Sequence, residues 1–169
     1  RVAAYLPNVP ETIIFMLASS SIGAIFSSAS PDFGEEGVLD RFGQIEPKIL
    51  VTTDGYNFNG KEINITKKVK QVVNSLRSVK NVVLVPLLNS TEVFSSNKVI
   101  FYQDLLNNYK SDKLDFIKLK LDHPLYIMFS SGTTGKPKCI VHSAGGVLLK
   151  HLVEVGLHSN AGEKKNFFY

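Results

Sequence analysis

Strand-like and helix-like segments alternate along this chain, and that alternation restricts the folds open to it more than any other feature. Apolar runs of strand length occupy residues 2–6, 24–28, 49–53, 82–85 and 99–102. Between them, apolar residues recur at helical spacing; one such predicted face carries Val38, Leu39, Phe42 and Ile45. Repeated strand–helix pairs favour a mainly parallel sheet with helices layered on its faces. We therefore predict an α/β fold that forms one domain or part of one.

Local signals predict where some elements begin and end. Asn8 and Asp32 each precede a glutamate by three positions, which is the spacing of a helix start, so we expect Asp32 to cap the second helix. Asp54 and Gly55 predict a turn that closes the third strand. A helix is expected to follow the pair at residues 59–60 directly, with its lysines facing outward.

A cluster of hydroxyl residues and glycines, residues 130–138 (SSGTTGKPK), follows the apolar run 125–129, which we expect to be a buried strand. Glycines adopt backbone angles closed to other residues and let the main chain approach a ligand closely. Successive backbone N–H groups in such a turn form a concave anion site, to which hydroxyls add donors. Lys138 adds a positive charge suited to phosphate. The segment predicts a nucleotide-phosphate loop; the alternative is an ordinary Ser/Gly-rich turn.

This loop differs from the Walker type, in which four residues separate the glycines and a helix follows. Here only two residues separate Gly132 from Gly135, and Pro137 disfavours a helix. Because residues 139–142 look extended, we expect the loop to connect two strands as a hairpin.

Composition narrows the classes of protein that remain. The chain has 169 residues, 44% hydrophobic and 20% charged, which is typical of a globular domain. Its longest apolar run, residues 82–88, is too short to span a bilayer. The single cysteine excludes an internal disulfide and suits a reducing compartment, so we expect a cytoplasmic protein. The lysines are scattered without interleaved aromatics, so no nucleic-acid partner is expected. Arg1 in place of an initiator Met leads us to expect a piece cut at both ends.

Residues 130–138 match every specified position of the pattern Ser/Thr-Ser/Thr-Gly-Ser/Thr-Thr-Gly-x-Pro-Lys, and the chain thereby resembles the adenylate-forming enzymes. That family includes acyl-CoA synthetases, luciferases and peptide-synthetase adenylation domains. Residues 30–34 (SPDFG), 37–42 (GVLDRF) and 137–146 (PKCIVHSAGG) are similar to the acetoacetyl-CoA synthetase subfamily. Cys139 matters most here, because most other members carry glycine at that position. The resemblance implies that residues 1–169 are part of the N-terminal AMP-binding domain, the rest of that domain and the C-terminal domain lying outside the sequence.

The resemblance also implies a set of bound ligands. The loop residues would contact the β- and γ-phosphates of ATP, with Mg²⁺ sharing that charge; they are Ser130, Ser131, Gly132, Thr133, Thr134, Gly135 and Lys138. Lys136 occupies the unspecified position and is expected to face solvent. Residues 58–61 (FNGK) stand where acetyl-CoA synthetases carry an Arg-x-Gly-Arg segment on a CoA phosphate, which makes Gly60 and Lys61 candidate CoA-binding residues. Phe58 departs from that pattern by lacking one charge. The alternative for Lys61 is an ordinary lysine in the first turn of a helix.

Further candidates lie close to the loop in sequence. We predict that His142 lines the substrate pocket, the alternative being a structural histidine. Gly145 and Gly146 would allow either close approach of the backbone to substrate or tight packing. Cys139 is expected to pack in the interior. Asp40 and Arg41 are expected to be solvated or to form an ion pair between helices.

The reaction implied by the resemblance is acid–thiol ligation in two steps. ATP and acetoacetate give an acyl-adenylate and pyrophosphate, and the thiol of CoA then displaces AMP. The expected partners are therefore ATP, a short-chain 3-oxo acid, CoA and the C-terminal domain of the intact enzyme. Two alternatives stay open: a ligase for acetate or propionate, and a catalytically incomplete chain that acts only as a folded module. We expect the 169-residue chain alone to be inactive.

Overall fold

The computed structural model describes residues 1–90, 98–109, 113–131, 135–163 and 165. Its strands are β1 (Val2–Tyr5), β2 (Phe26–Ala29), β3 (Ile49–Thr53), β4 (Gly55–Phe58), β5 (Lys61–Asn64), β6 (Asn81–Val85), β7 (Val99–Phe101), β8 (Pro124–Phe129) and β9 (Cys139–Ser143). Its α-helices are α1 (Pro10–Ser21), α2 (Glu35–Ile45), α3 (Thr66–Ser75), α4 (Tyr102–Asn108) and α5 (Ala144–His151). A π-helix, Leu152–His158, continues α5.

Seven of the strands form one sheet in the order β7-β6-β3-β1-β2-β8-β9. Every neighbouring pair in it is parallel except β8 and β9, which pair antiparallel across the Ser/Gly-rich segment. These pairings confirm the predicted layered, mainly parallel sheet. They also confirm that residues 130–138 connect two strands of a hairpin.

Two apolar layers pack on the opposite faces of this sheet, because successive side chains of a strand point to opposite sides. Ala3 and Tyr5 of β1 face the layer formed by α2 and α3, whereas Val2 and Ala4 face the layer that includes α1 and α4. The best-covered strand is therefore β1, at the centre of the sheet. The cleft described below opens at its carboxyl end.

The β8–β9 end of the sheet is more exposed than the sequence predicts. Of the apolar run in β8, Ile127 is buried, but Met128 is 54% exposed. Ile140 and Val141 of β9 are exposed as well. The prediction that residues 125–129 form a buried strand is thus wrong for most of the run, because α1, α3 and α4 pack mainly on β1, β2, β3, β6 and β7 and leave much of this end open.

The predicted helix caps are wrong. Helix α1 begins after Val9 and α2 after Gly34, and neither of these residues donates or accepts a side-chain cap bond. Asp32 instead accepts hydrogen bonds from the side chains of Ser30 and Tyr56. The Asp32 carboxylate, which local spacing assigns to the start of α2, is thus hydrogen-bonded to Tyr56 from a distant part of the chain.

A small hairpin replaces the predicted turn and early helix after β3. Gly55 begins β4 instead of closing a turn, and β4 pairs antiparallel with β5. Asn59 and Gly60 have φ of 48° and 73°, the left-handed values of a two-residue hairpin turn, for which Asn-Gly is the strongest short signal. Lys61 is therefore a strand residue, and the expectation that it opens a helix is wrong.

Candidate functional site

A cleft of about 870 Å³ opens at the carboxyl ends of β1, β2 and β8. Leu6, Ser30 and Ser130, which directly follow these three strands, all line it. The crossover from β1 runs through α1 on one face of the sheet, and the crossover from β2 runs through α2 on the other. Where the chain leaves neighbouring strands toward opposite faces, a crevice forms, and open α/β sheets bind ligands there.

The lining is largely apolar, with polar groups at a few places. The apolar lining includes Met16, Phe26, Phe33, Tyr126, Ile127 and Phe129. The polar lining includes Asn8, Thr12, Ser28, Asp32, Arg41, Asn57 and Ser131. An apolar concavity with a few convergent polar groups is the usual form of a small-molecule site.

Hydrogen bonds from the side chains of Tyr5 in β1 and Lys68 in α3 hold the segment between β2 and α2. The Tyr5 hydroxyl donates to the carbonyl oxygens of Phe33 at 2.6 Å and Pro31 at 3.1 Å. The Lys68 ammonium donates to the same two carbonyls at 3.0 and 3.2 Å. Burial, together with Tyr56 and Asp32 nearby, raises the pKa of Tyr5 well above its usual range, so its hydroxyl remains a donor. This wall of the cleft is held in place before any ligand binds.

Asp32 and Tyr56 form a hydrogen-bonded pair on the same wall. The Tyr56 hydroxyl donates to Asp32 Oδ1 at 2.6 Å, and Ser30 Oγ donates to Asp32 Oδ2 at 2.8 Å. These two bonds, with the charge of Lys68, lower the pKa of Asp32, so the carboxylate stays ionised. Burial and then Asp32 raise the pKa of Tyr56 to about 12. Local spacing predicts a helix cap at Asp32, and no local signal indicates the pair with Tyr56, which lies 24 residues further along the chain.

The two ends of the predicted phosphate loop are held together. Ser130 N donates to Lys138 O at 3.1 Å, and Lys138 N donates to Ser130 Oγ at 3.1 Å. Ser130 and Ser131 line the cleft. Gly135 has φ of 157°, which glycine adopts far more easily than other residues. Three further predicted members lie outside the described residues: Gly132, Thr133 and Thr134.

The side chain of Lys138 is exposed, and within the described part of the chain its ammonium makes no hydrogen bond or ion pair. Lys136 faces solvent as expected, with 77% of its side chain exposed, and lies 3.3 Å from Asp40. The two lysines of the loop therefore differ in what surrounds them. Lys136 pairs with Asp40 of α2, whereas the Lys138 ammonium has no charged partner among the described residues.

Helix α2 contacts this loop along one side. The amide of Gln44 donates to Pro137 O at 2.8 Å, and the Cys139 thiol lies 3.6 Å from Gln44 Oε1. The guanidinium of Arg41 lies 4.1 Å from the ring centre of Phe33. Of the two alternatives for Asp40 and Arg41, the ion pair between helices is not found among the described residues: Asp40 pairs with Lys136 of the loop, and Arg41 has no carboxylate partner there.

Cys139 is exposed, so the expectation that it packs in the interior is wrong. It lies on β9, which is the last strand of the sheet and has one neighbouring strand, β8. At such an edge the side chains of a strand lack cover unless a helix lies over them.

The β4–β5 hairpin places the candidate CoA residues, Gly60 and Lys61, next to a strand that lines the cleft, although neither of them is a lining residue. Tyr56, Asn57 and Phe58 of β4 line the cleft, and Phe58 pairs in register with Lys61. Lys61 is exposed, as is Gly60 in the turn beside it. A basic side chain thus stands at the end of a hairpin whose first strand forms part of the cleft.

His142 lies near the end of β9, and Gly145 and Gly146 lie in the first turn of α5. The His142 ring is 5.3 Å from the ring of Tyr126, and His142 is not among the residues lining the cleft. Gly145 N donates to Leu121 O at 2.8 Å, and a Cβ on Gly145 would lie 2.9 Å from that oxygen, so the backbone is tightly packed there. Gly146 N donates to Ser143 Oγ, the cap of α5. A direct role toward substrate stays a prediction for all three.

Within the described ranges, no group of three or more His, Cys, Asp or Glu side chains is placed to hold a metal ion. In the same part of the chain, none of the helices combines the length and the apolar character needed to cross a bilayer.

Comparisons with known proteins match nearly the whole chain. The model of the family described as "AMP-binding enzyme" matches residues 1–165. Acetoacetyl-coenzyme A synthetase of Rhizobium meliloti (strain 1021) is 49% identical over 171 residues, which cover 100% of this chain and 26% of that protein. Acetoacetyl-CoA synthetase of Gallus gallus is 47% identical over 175 residues, with the same coverage of both chains.

A solved structure agrees with the sequence comparison. Acetoacetyl-CoA synthetase from Streptomyces lividans superimposes with a TM-score of 0.89 at 38% identity, over 96% of this chain and 24% of that one. The chain therefore spans about a quarter of the length of the curated relatives it matches. The predicted resemblance and the predicted fold are both confirmed.

Proposed function

The chain belongs to the AMP-binding enzyme family, and from that premise we propose that it forms part of the N-terminal adenylation domain of an AMP-forming acid–thiol ligase. The proposed substrates are ATP, a short-chain 3-oxo acid, with acetoacetate first, and CoA. A carboxylate oxygen of the acid attacks the α-phosphate of ATP, and pyrophosphate leaves. The thiol of CoA then attacks the acyl carbonyl, and AMP leaves. The names of the relatives support acetoacetate over other short acids.

One observation carries the proposal: the segment between β8 and β9 begins in the lining of the cleft, and its two ends are hydrogen-bonded to each other. Ser130 and Ser131 line the cleft, and Lys138 follows with an ammonium that is exposed and unpaired in the described structure. Preorganised donors and a fixed positive charge stabilise the phosphate charge that develops as pyrophosphate leaves. We assign the β- and γ-phosphates of ATP to residues 130–135 and Lys138.

Mg²⁺ is proposed to reach this site on the phosphates of ATP. The ion keeps several waters and is usually held by one or two protein oxygens together with substrate phosphates. The serine hydroxyls at the start of the loop are oxygen donors of the kind it accepts. When bound, the ion would share the phosphate charge with Lys138.

CoA is proposed to approach along the β4–β5 hairpin, in which Lys61 pairs with the cleft-lining Phe58 and Gly60 lies in the turn between them. The position of Tyr56, Asn57 and Phe58 in the lining supports this route. The C-terminal domain of the intact enzyme is proposed as the partner that completes the site. We also propose a cytosolic location, which the single cysteine supports.

The direct test is acid-dependent exchange of labelled pyrophosphate into ATP by the full-length protein. We expect acetoacetate to support exchange at a higher kcat/KM than acetate or propionate. Preference for acetate or propionate would move the proposal to another short-acid ligase. A folded protein that exchanges with none of these acids would favour the remaining alternative, a module without catalysis.

A further inference from the structure

The peptide group that joins Pro137 to Lys138 is held at both of its ends. Lys138 N donates to Ser130 Oγ at 3.1 Å, while Gln44 Nε2 donates to Pro137 O at 2.8 Å. The N–H and C=O of one trans peptide lie in a plane and point in opposite directions. Two bonds from opposite sides therefore fix the orientation of that plane, and with it the direction in which the Lys138 side chain leaves the backbone.

Gln44 is itself immobilised. Its Nε2 also donates to Asp40 O at 2.6 Å, one turn back in α2, so both amide hydrogens are used. Its Oε1 faces the Cys139 thiol at 3.6 Å. A side-chain amide has two donors on nitrogen and an acceptor oxygen, and two carbonyls with one thiol match that set. The amide is therefore held in one orientation.

Helix α2, which carries Gln44, is held in place by its buried apolar side chains. Val38, Phe42 and Ile45 of α2 are buried in the core on the opposite side of the helix. On the loop side, Asp40 pairs with Lys136, whose side chain is 77% exposed, and solvent screens such a pair, so it contributes little by itself. Among the described residues, Gln44 is thus the polar side chain of α2 that binds the backbone of the loop directly.

We propose that Gln44 is a positioning residue for adenylation, which aims Lys138 at the phosphates of ATP through the carbonyl of Pro137. This inference rests on the proposed function. Without the amide donor, the Pro137–Lys138 peptide keeps only its bond to Ser130 and can rotate. Lys138 then spends less time in the productive direction, and misplacement of a catalytic group lowers the rate of the chemical step.

The test uses two substitutions in the full-length protein. Gln44→Ala removes the side chain at a helix position that tolerates alanine, and Gln44→Met keeps its length without a donor. We expect either change to lower kcat/KM for ATP in pyrophosphate exchange about threefold to tenfold, the usual effect of one lost hydrogen bond. The KM for acetoacetate should stay within about twofold of wild type. Gln71→Ala, an exposed glutamine on α3, is the matched control and should leave both parameters unchanged.

A double-mutant cycle separates positioning from a general structural effect. If Gln44 acts through Lys138, Gln44→Ala should have little further effect in a protein that already carries Lys138→Ala. The same fold loss in both backgrounds would overturn the inference. So would a wild-type rate in both Gln44 variants. If the wild-type protein exchanges with no acid, the proposed function itself fails; active wild type with additive losses rejects the role of Gln44 alone.

Discussion

Asp54 shows how a single carboxylate organises the backbone beside the cleft. It is buried at the end of β3 and accepts hydrogen bonds from the backbone N–H groups of Leu87, Leu88 and Ser90 at 2.8, 3.1 and 2.8 Å. Burial alone would raise its pKa, but these N–H groups and Thr53 outweigh it and hold the pKa below the usual value. The segment after β6 is thus tied to β3 through one charged side chain.

Asp54→Asn should lower the free energy of unfolding by about 1.5–3 kcal/mol at pH 7, because asparagine keeps one of the two acceptor oxygens and that oxygen is uncharged. A pKa depressed in the folded state adds stability above the unfolded-state value, and that stability is lost as pH falls through the folded-state value. Urea unfolding at pH 7 and pH 3 should therefore show a smaller difference between mutant and wild type at pH 3. Asp115→Asn, at an exposed position, is the control. An equal difference at both pH values would contradict this account.

Lys61→Ala should spare adenylation and weaken the thiol step, because Lys61 lies in the β4–β5 hairpin, which we propose for CoA, whereas the loop after β8 is the segment proposed for ATP. We expect a rise of roughly fivefold to tenfold in KM for CoA, the scale of one lost charge–phosphate contact. Steady-state kinetics of the full-length enzyme with CoA and with pyrophosphate exchange measure the two steps separately.

Dephospho-CoA is the control for Lys61, because it lacks the phosphate that this lysine would bind. Wild type and Lys61→Ala should use dephospho-CoA almost equally well. If the mutation and the missing phosphate instead weaken the reaction additively, the two groups do not meet, and Lys61 is a surface residue of β5.

At the scale of elements, the β4–β5 turn depends on a residue that local sequence marks clearly. Gly60→Ala places a side chain at φ of 73°, which costs about 1–2 kcal/mol for an L-residue even though no atom lies within 4 Å. We expect that loss in urea unfolding. Gly43→Ala, in helix α2 and equally open, should stabilise by about 0.5–1 kcal/mol. A stabilising Gly60→Ala would mean that the turn does not require a left-handed residue.

Elements with a strong period could be predicted from sequence, whereas contacts between distant elements could not. The sequence correctly predicts the strand–helix alternation and the β8–β9 hairpin, because apolar spacing and Pro137 determine the conformation of their own segments. The Asn59-Gly60 turn was missed although its signal is local, since the helical apolar pattern beyond it was extended too far back.

The same reasoning explains what was missed in the site. Asp32 binds Tyr56, and Gln44 binds Pro137; each pair forms only once the chain has folded. Local spacing assigned Asp32 to a cap, and nothing near Gln44 marks it as a neighbour of the loop. The loop motif can be recognised from the sequence because its residues, 130–138, are contiguous. Its assignment to ATP phosphates stays a prediction.

At the scale of the molecule, the exposed large apolar side chains of the described residues include a group on α1 and another on α5 and the π-helix that follows it. Ile13, Ile14 and Leu17 of α1 are 53%, 45% and 59% exposed. Leu148 of α5 and Leu152 after it are 58% and 59% exposed. Extended exposed apolar patches usually mark contact surfaces. The chain spans about a quarter of its relatives' length. That these 169 residues alone are inactive stays a prediction.

The central claim is that the β8–β9 loop binds the phosphates of ATP through Lys138. Its most direct measurement is pyrophosphate exchange by Lys138→Ala and Lys136→Ala in the full-length protein, with acetoacetate as the acid. Loss of a preorganised charged contact should lower exchange by about 10²–10³-fold in Lys138→Ala. Lys136→Ala should exchange at nearly the wild-type rate, because Lys136 is exposed and paired with Asp40. Equal losses in the two variants would contradict the assignment.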